Sequence, residues 1–156
     1  MITQPTKPMK TFPTQFQKVV DYLKEEHDVE VTLGQMTSFL GHNQKKIVIH
    51  HNYNLQKNGL IALLHEAGHV LQEPNGSANF YKSIDDEDEP RKFTMYQFLN
   101  EVNAWDNGVA LISKLGLEVD PKSFMKLREE ALLTYFPNPK RTVLKEYHES
   151  MLSQLS

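Results

Sequence analysis

Leu63-Leu64-His65-Glu66-Ala67-Gly68-His69-Val70-Leu71 is the stretch whose reading decides the fold. It is an apolar, helix-forming run that contains a His-Glu-x-x-His pattern. On a helix, residues four apart stand one above the other, so His65 and His69 can aim both imidazoles at one ion. Glu66 falls beside them. A carboxylate there can take a proton from metal-bound water, whose pKa the ion lowers to about 7. At about 100° per residue, Leu60, Leu63, Leu64, Ala67 and Leu71 gather on one side, while His65, Glu66 and His69 share the opposite flank. A helix with a buried apolar face and a His/Glu flank lining a cleft follows. Gly68 costs such a helix about 1 kcal/mol relative to Ala, which predicts a close neighbour or a bulky ligand beside His69.

With seven histidines in the chain, this pattern arises in roughly a few per cent of shuffled sequences, so its surroundings must decide. The chain has 156 residues, enough for one domain with a proper core and too few for two comfortable ones. Residues 1–13 read as a flexible tail and 14–156 as a single domain. The net charge of −3 leaves no basic footprint for nucleic acid. The absence of cysteine excludes disulfides, thiolate zinc sites and a Cys nucleophile, so any metal must use His, Asp or Glu. No stretch has signal-peptide or membrane-span character, and a cytoplasmic protein with no membrane partner is expected.

Phe16, Val19, Val20 and Leu23 predict a first helix from Thr14, as N-cap, to about His27. Three β-like runs follow, Val29 to Leu33, Met36 to Leu40 and Lys46 to His50, and the short turns between them suggest a three-stranded antiparallel meander. Asn54 is placed to cap the motif helix, expected from about Leu55 to Gln72. Residues 73–91 are irregular and carry the acidic run Asp85-Asp86-Glu87-Asp88-Glu89, either a solvated loop or a charged lid over the cleft. A second long helix is expected over Thr94 to Leu115, with Phe98, Val102, Trp105, Val109 and Ile112 inward. Asp120-Pro121 begins another, with Phe124, Leu127, Ala131 and Leu132 inward. A last helix carries Val143, Leu144, Tyr147, Met151 and Leu155.

Glu101 falls within the apolar stripe of the second long helix, where a lone carboxylate requires pairing or a cation. With His65 and His69 it completes a two-His-one-Glu set, one protein ligand short of a closed zinc site; Asp106 and Glu73 stand next in line. The pattern resembles that of the gluzincin metallopeptidases, and within them the compact ImmA/IrrE-like group and related small phage-type zinc peptidases. The resemblance rests on Lys46-Ile47-Val48-Ile49-His50, on Leu63 to Leu71 and on Glu101-Val102-Asn103-Ala104, and covers roughly residues 14 to 116. It implies an α+β fold, a minimal zincin-like domain in which an N-terminal helix, a small sheet, the motif helix, a glutamate helix and C-terminal helices follow in order. It also implies one Zn2+ held by His65, His69 and Glu101, with Glu66 as general base. Ile47, Val48, Ile49 and His50 would form an edge strand along which a peptide substrate pairs. Trp105 stands where the family often has Asn and is expected to pack against the motif helix.

Peptide hydrolysis needs a donor to its oxyanion besides the metal, and Tyr81, Tyr96 and His148 are the candidates. His50 and His51 lie just before the motif helix, as cleft lining or as a plain exposed pair. The expected function is a zinc-dependent peptidase. The alternative is a non-catalytic zinc module, an antirepressor-like or phage accessory protein, which binds a partner's segment at the sheet edge. The sequence is silent on substrate and oligomeric state.

Overall fold

The computed structural model describes residues 11–72, 90–136 and 138–155, with 90–96 and 138–144 described by backbone alone. Helix α1 (Thr14–His27) buries Phe16, Val19, Tyr22 and Leu23. Pro13, not Thr14, holds the N-cap position, and its carbonyl accepts from Gln17 N–H at 2.8 Å. At the other end Asp28 turns into the left-handed region, φ 54°, and its N–H returns to the last carbonyls of the helix. A short polar residue tolerates that conformation and stops the helix.

The sheet corrects the expected meander. β1 (Glu30–Gly34), β2 (Ser38–Phe39) and β3 (Lys46–His50) lie in the order β1-β3-β2, with β3 parallel to β1 and antiparallel to β2. The last strand in sequence therefore takes the centre. Ile47 and Ile49 have no exposed surface, and the most apolar strand gains most from neighbours on both sides. Gly34 assists, because a Cβ there would stand 2.8 Å from Val48 Cγ1. Ile47 to His50 thus form the central strand and not an edge. The run Met36 to Leu40 shrinks to the two-residue β2, which with β1 forms the edges of the sheet.

Asn54 caps a turn ahead of the motif helix and not the helix itself. Its side chain accepts from Gln56 N–H at 3.0 Å, its carbonyl accepts from Lys57 and Gly59, and helix α2 spans Asn58–Val70. Helix α2 is the hub: it touches α1, β2, β3 and both helices that follow in sequence, α3 (Pro90–Leu115) and α4 (Pro121–Leu133). Leu60, Ile61, Leu63, Leu64 and Ala67 fill the centre of the core. The long helix starts four residues before the expected Thr94, on a proline, which needs no N–H at a first helical position. Asp120 caps α4 as expected, accepting from Ser123 N–H at 3.1 Å. Arg128, 8% exposed, donates to Asp106 at 3.2 Å and ties α4 to α3.

Two inward faces differ from expectation. Val109 is 45% exposed, whereas Leu111 is buried. The turn of α3 that meets α2 presents Gly108, which would place a Cβ 2.8 Å from the Leu64 carbonyl oxygen; the backbones are too close there for Val109 to share the contact. In α5 (Asn138–Leu155) Tyr147 and Leu155 are exposed, while His148 is buried and Met151 and Leu152 pack on the core. The inward face is rotated by one residue; Val143 and Leu144 lie outside the described side chains. Among the described residues, no helix is long and apolar enough to cross a membrane.

Candidate metal centre

The centre is built where α2 and α3 cross with almost no space between backbones. A Cβ on Gly68 would lie 1.8 Å from the Ala104 carbonyl oxygen. This is the close neighbour that a glycine inside the motif helix predicts. Asn107 Nδ2 donates to the Gly68 carbonyl at 3.1 Å and fixes the rotation of one helix against the other. Going back along α2 from Gly68 to Leu64 is going forward along α3 from Ala104 to Gly108, so the helices run antiparallel. Glu101, one turn before Ala104, then projects toward the histidine flank.

His65 Nε2 lies 2.8 Å from Glu101 Oε2, and His69 Nε2 lies 3.2 Å from Glu101 Oε1. One ligand atom from each of these three residues lies within 4.8 Å of the others, and among the described residues this is the cluster that could hold a metal ion. The order of bonds around His69 tests the fit. Gln72 Nε2 donates to the Asn100 carbonyl at 2.8 Å and to Asn103 Oδ1 at 3.0 Å, which leaves Gln72 Oε1 to face His69 Nδ1 at 3.0 Å. A carbonyl oxygen only accepts, so Nδ1 carries a proton, and Nε2 is the nitrogen that faces the cluster, protonated against Glu101 or bare against a cation. The bare form is the tautomer a metal ligand needs. A proton and a cation are alternatives for the same space, and the acid–base balance reflects it.

Burial alone would raise the Glu101 pKa, but hydrogen bonds and charge from His65 and His69 hold it down to about 2. Burial opposes charging of His69, yet Glu101, then Gln72 and Glu66, raise its pKa above the ordinary value. A depressed carboxylate stabilises above its unfolded pKa and loses that as pH falls toward about 2. A raised imidazole stabilises below its unfolded pKa of 6.5 and loses that as pH rises through the folded value. The proton-bridged pair is therefore strongest between the two, in mildly acid solution, and protons compete with a cation increasingly as pH falls.

Glu66 is 8% exposed and is not on an open flank. Its Oε2 accepts from Phe39 N–H of β2 at 2.8 Å, and its Oε1 lies 3.5 Å from His65 Nδ1. Trp105 stacks on the His65 ring, with centroids 4.3 Å apart and an interplanar angle of 10°. Its expected packing against the motif helix takes that form. Beside His65 opens a cavity of about 190 Å³ with Ile61, Trp105, Leu127 and Ala131 among its apolar walls and Thr37 and Tyr53 among its polar lining.

Of the other sequence candidates, Tyr81 and the acidic run 85–89 lie outside the described residues, as does the side chain of Tyr96. His148 is 1% exposed in α5, and its burial and then the Arg128 charge lower its pKa. It lies outside the cavity lining and outside the metal cluster. His50 and His51 stack on each other at 4.8 Å, and neither joins the cluster. Asp106 is turned to Arg128 with its side chain 61% exposed, so it does not replace Glu101. The structure instead brings up two tyrosines that the sequence did not single out. Tyr53 lines the cavity with His65. Tyr135 has its pKa raised by burial and then by the negative charge of Glu101. Gln72 was equally unmarked: a glutamine at a helix end reads as a solvated residue until Asn100 and Asn103 are brought to it.

Comparison with protein-family models, with curated proteins and with solved structures finds no match for the chain. The role of Gln72 can be tested directly. Replacing it with Leu removes the acceptor for His69 Nδ1–H, and metal affinity should fall about 10–100-fold, the usual cost of losing an outer-shell partner. Metal titration followed by calorimetry checks this; an unchanged affinity would remove Gln72 from the site.

Proposed function

We propose that the protein is a zinc-dependent peptidase. The observation that carries the reading is the convergence of His65 Nε2, His69 Nε2 and the Glu101 carboxylate, with a second carboxylate, Glu66, 3.5 Å from the first histidine. Two imidazoles and a carboxylate, without thiolate, are a donor set of catalytic zinc sites, which keep a position open for the reactants. Zinc so held supplies Lewis acidity: it polarises a carbonyl and makes water acidic enough to lose a proton near neutral pH.

The chain's own residues do the rest. Glu66 receives the proton of the attacking water and passes it to the leaving amine. Trp105, flat against His65, restricts the ring's rotation and covers one face of it. Gln72 keeps His69 Nε2 directed at the cluster. The cavity beside His65, walled by Ile61, Trp105, Leu127 and Ala131, suits an apolar side chain next to the bond that is cut. Tyr53 is the group in that lining best suited to donate to a developing oxyanion, since its phenol is part of a residue 43% exposed.

Protein purified without added metal should contain close to one equivalent of zinc, and should cleave members of a randomised decapeptide library read by mass spectrometry. Chelation should abolish cleavage, and zinc should restore it. Protein that carries no metal and gains no melting temperature from added zinc would overturn the reading, because any ligand specific to the folded state must raise its stability.

A further inference from the structure

One backbone amide at the sheet edge has two uses. β2 pairs antiparallel with β3, and beyond it the Leu40 N–H turns inward to the Lys46 carbonyl at 2.9 Å. Successive residues of a strand direct their N–H groups to opposite sides, so the Phe39 N–H leaves the sheet on its free side, toward α2. There it donates to Glu66 Oε2 at 2.8 Å. An extended chain laid along β2 needs that same N–H for its ladder. Thr37, two residues earlier, lines the cavity that also touches His65. A segment on this edge would therefore have an apolar pocket beside it for one of its side chains.

We propose that the Phe39 amide is a latch on Glu66, opened by an extended peptide whose backbone carbonyl takes over the Phe39 N–H. This rests on the reading of Glu66 as general base. One N–H cannot serve two acceptors at full strength, and a carboxylate is the stronger acceptor. The peptide must displace Glu66 to pair with β2. Displacement frees the carboxylate for proton transfer when, and only when, a chain fills the cleft. The empty site then holds its base away from water, and the substrate class is an unstructured or locally unfolded segment able to lie extended.

Two variants, both expected to lack hydrolysis, isolate the latch. In Glu66→Gln the amide oxygen still accepts from Phe39; in Glu66→Ala nothing does. With zinc added, Glu66→Ala should bind the randomised decapeptide mixture about fivefold tighter than Glu66→Gln, the worth of one neutral hydrogen bond. Hydrogen exchange at the Phe39 amide, followed by nitrogen-15 NMR, should be fast in free Glu66→Ala, slow in Glu66→Gln, and slowed in Glu66→Ala when peptide is added. Equal affinities, no binding to either variant, or a Phe39 amide indifferent to Glu66→Ala would overturn the latch. A parent protein that cleaves nothing would overturn the peptidase reading instead, and the comparison between the two variants would still be measurable.

Discussion

Glu66→Gln should keep the metal and lose the chemistry, whereas Glu101→Ala should lose the metal. The two carboxylates sit within the same few ångströms of His65, yet they are held by different partners. Glu101 bridges both histidine Nε2 atoms, and those two neighbours hold its pKa down to about 2, so it faces the position a cation would take. Glu66 touches the cluster only through His65 Nδ1 and is otherwise bonded to a backbone amide. Turnover in Glu66→Gln should fall by about 10²–10⁴, the usual range for removing a general base, with zinc affinity within a few-fold of the parent. In Glu101→Ala affinity should fall by more than about 100-fold, beyond the cost of an outer-shell loss. Zinc titration and peptide cleavage on both variants decide it. Equal metal affinities would take Glu101 out of the ligand set, and undiminished cleavage by Glu66→Gln would refute its role as base.

Gly68→Ala should destabilise the fold even though alanine is the better helix former. On an isolated helix the change gains about 1 kcal/mol. Here the new methyl would meet the Ala104 carbonyl oxygen at 1.8 Å, a backbone atom that cannot rotate away, so α2 and α3 must separate. Overpacking of this kind costs about 1–3 kcal/mol and sometimes more, and the upper end applies because a helix and not a side chain has to move. A net loss of about 2 kcal/mol corresponds to a melting temperature lower by roughly 4–8 °C for a chain of this size. Separation also withdraws Glu101 from the histidines, so zinc affinity should drop in the same variant. Gly108→Ala, with its nearest atom at 2.8 Å, should do less of both. A Gly68→Ala protein as stable as the parent would show that α2 and α3 have room for a methyl group between their backbones.

The convergence of His65, His69 and Glu101 was legible in the sequence because it depends on local geometry plus one anomaly. A four-residue spacing fixes the facing of His65 and His69 whatever the rest of the chain does, and Glu101 stood out as a charge on an apolar stripe. The sheet was not legible in the same way. Alternation and turn residues mark where strands begin and end, but pairing order depends on which strand gains most from the centre, and Ile47 and Ile49 settle that only once α2 is packed on their strand. The latch between Glu66 and Phe39 depends on the parity of a two-residue strand, which a shift of one residue would reverse. Gln72 escaped notice for a related reason: its partners lie 28 and 31 residues away and come to it only through the α2–α3 crossing. In α5 the face could not be read because apolar residues on it are interrupted by His148, a polar side chain that the fold buries.

The indole against His65 has a use in measurement. Trp105 is the chain's single tryptophan, and its ring lies 4.3 Å from that of a proposed ligand. All indole emission from this protein therefore originates beside the candidate metal centre, with no second chromophore of its kind to dilute it. A coloured ion such as Co2+ or Cu2+ entering between His65, His69 and Glu101 would quench that light at contact range. Occupancy could then be followed in real time on unlabelled protein, in the same cuvette in which Glu66, Glu101 and Gly68 variants are compared.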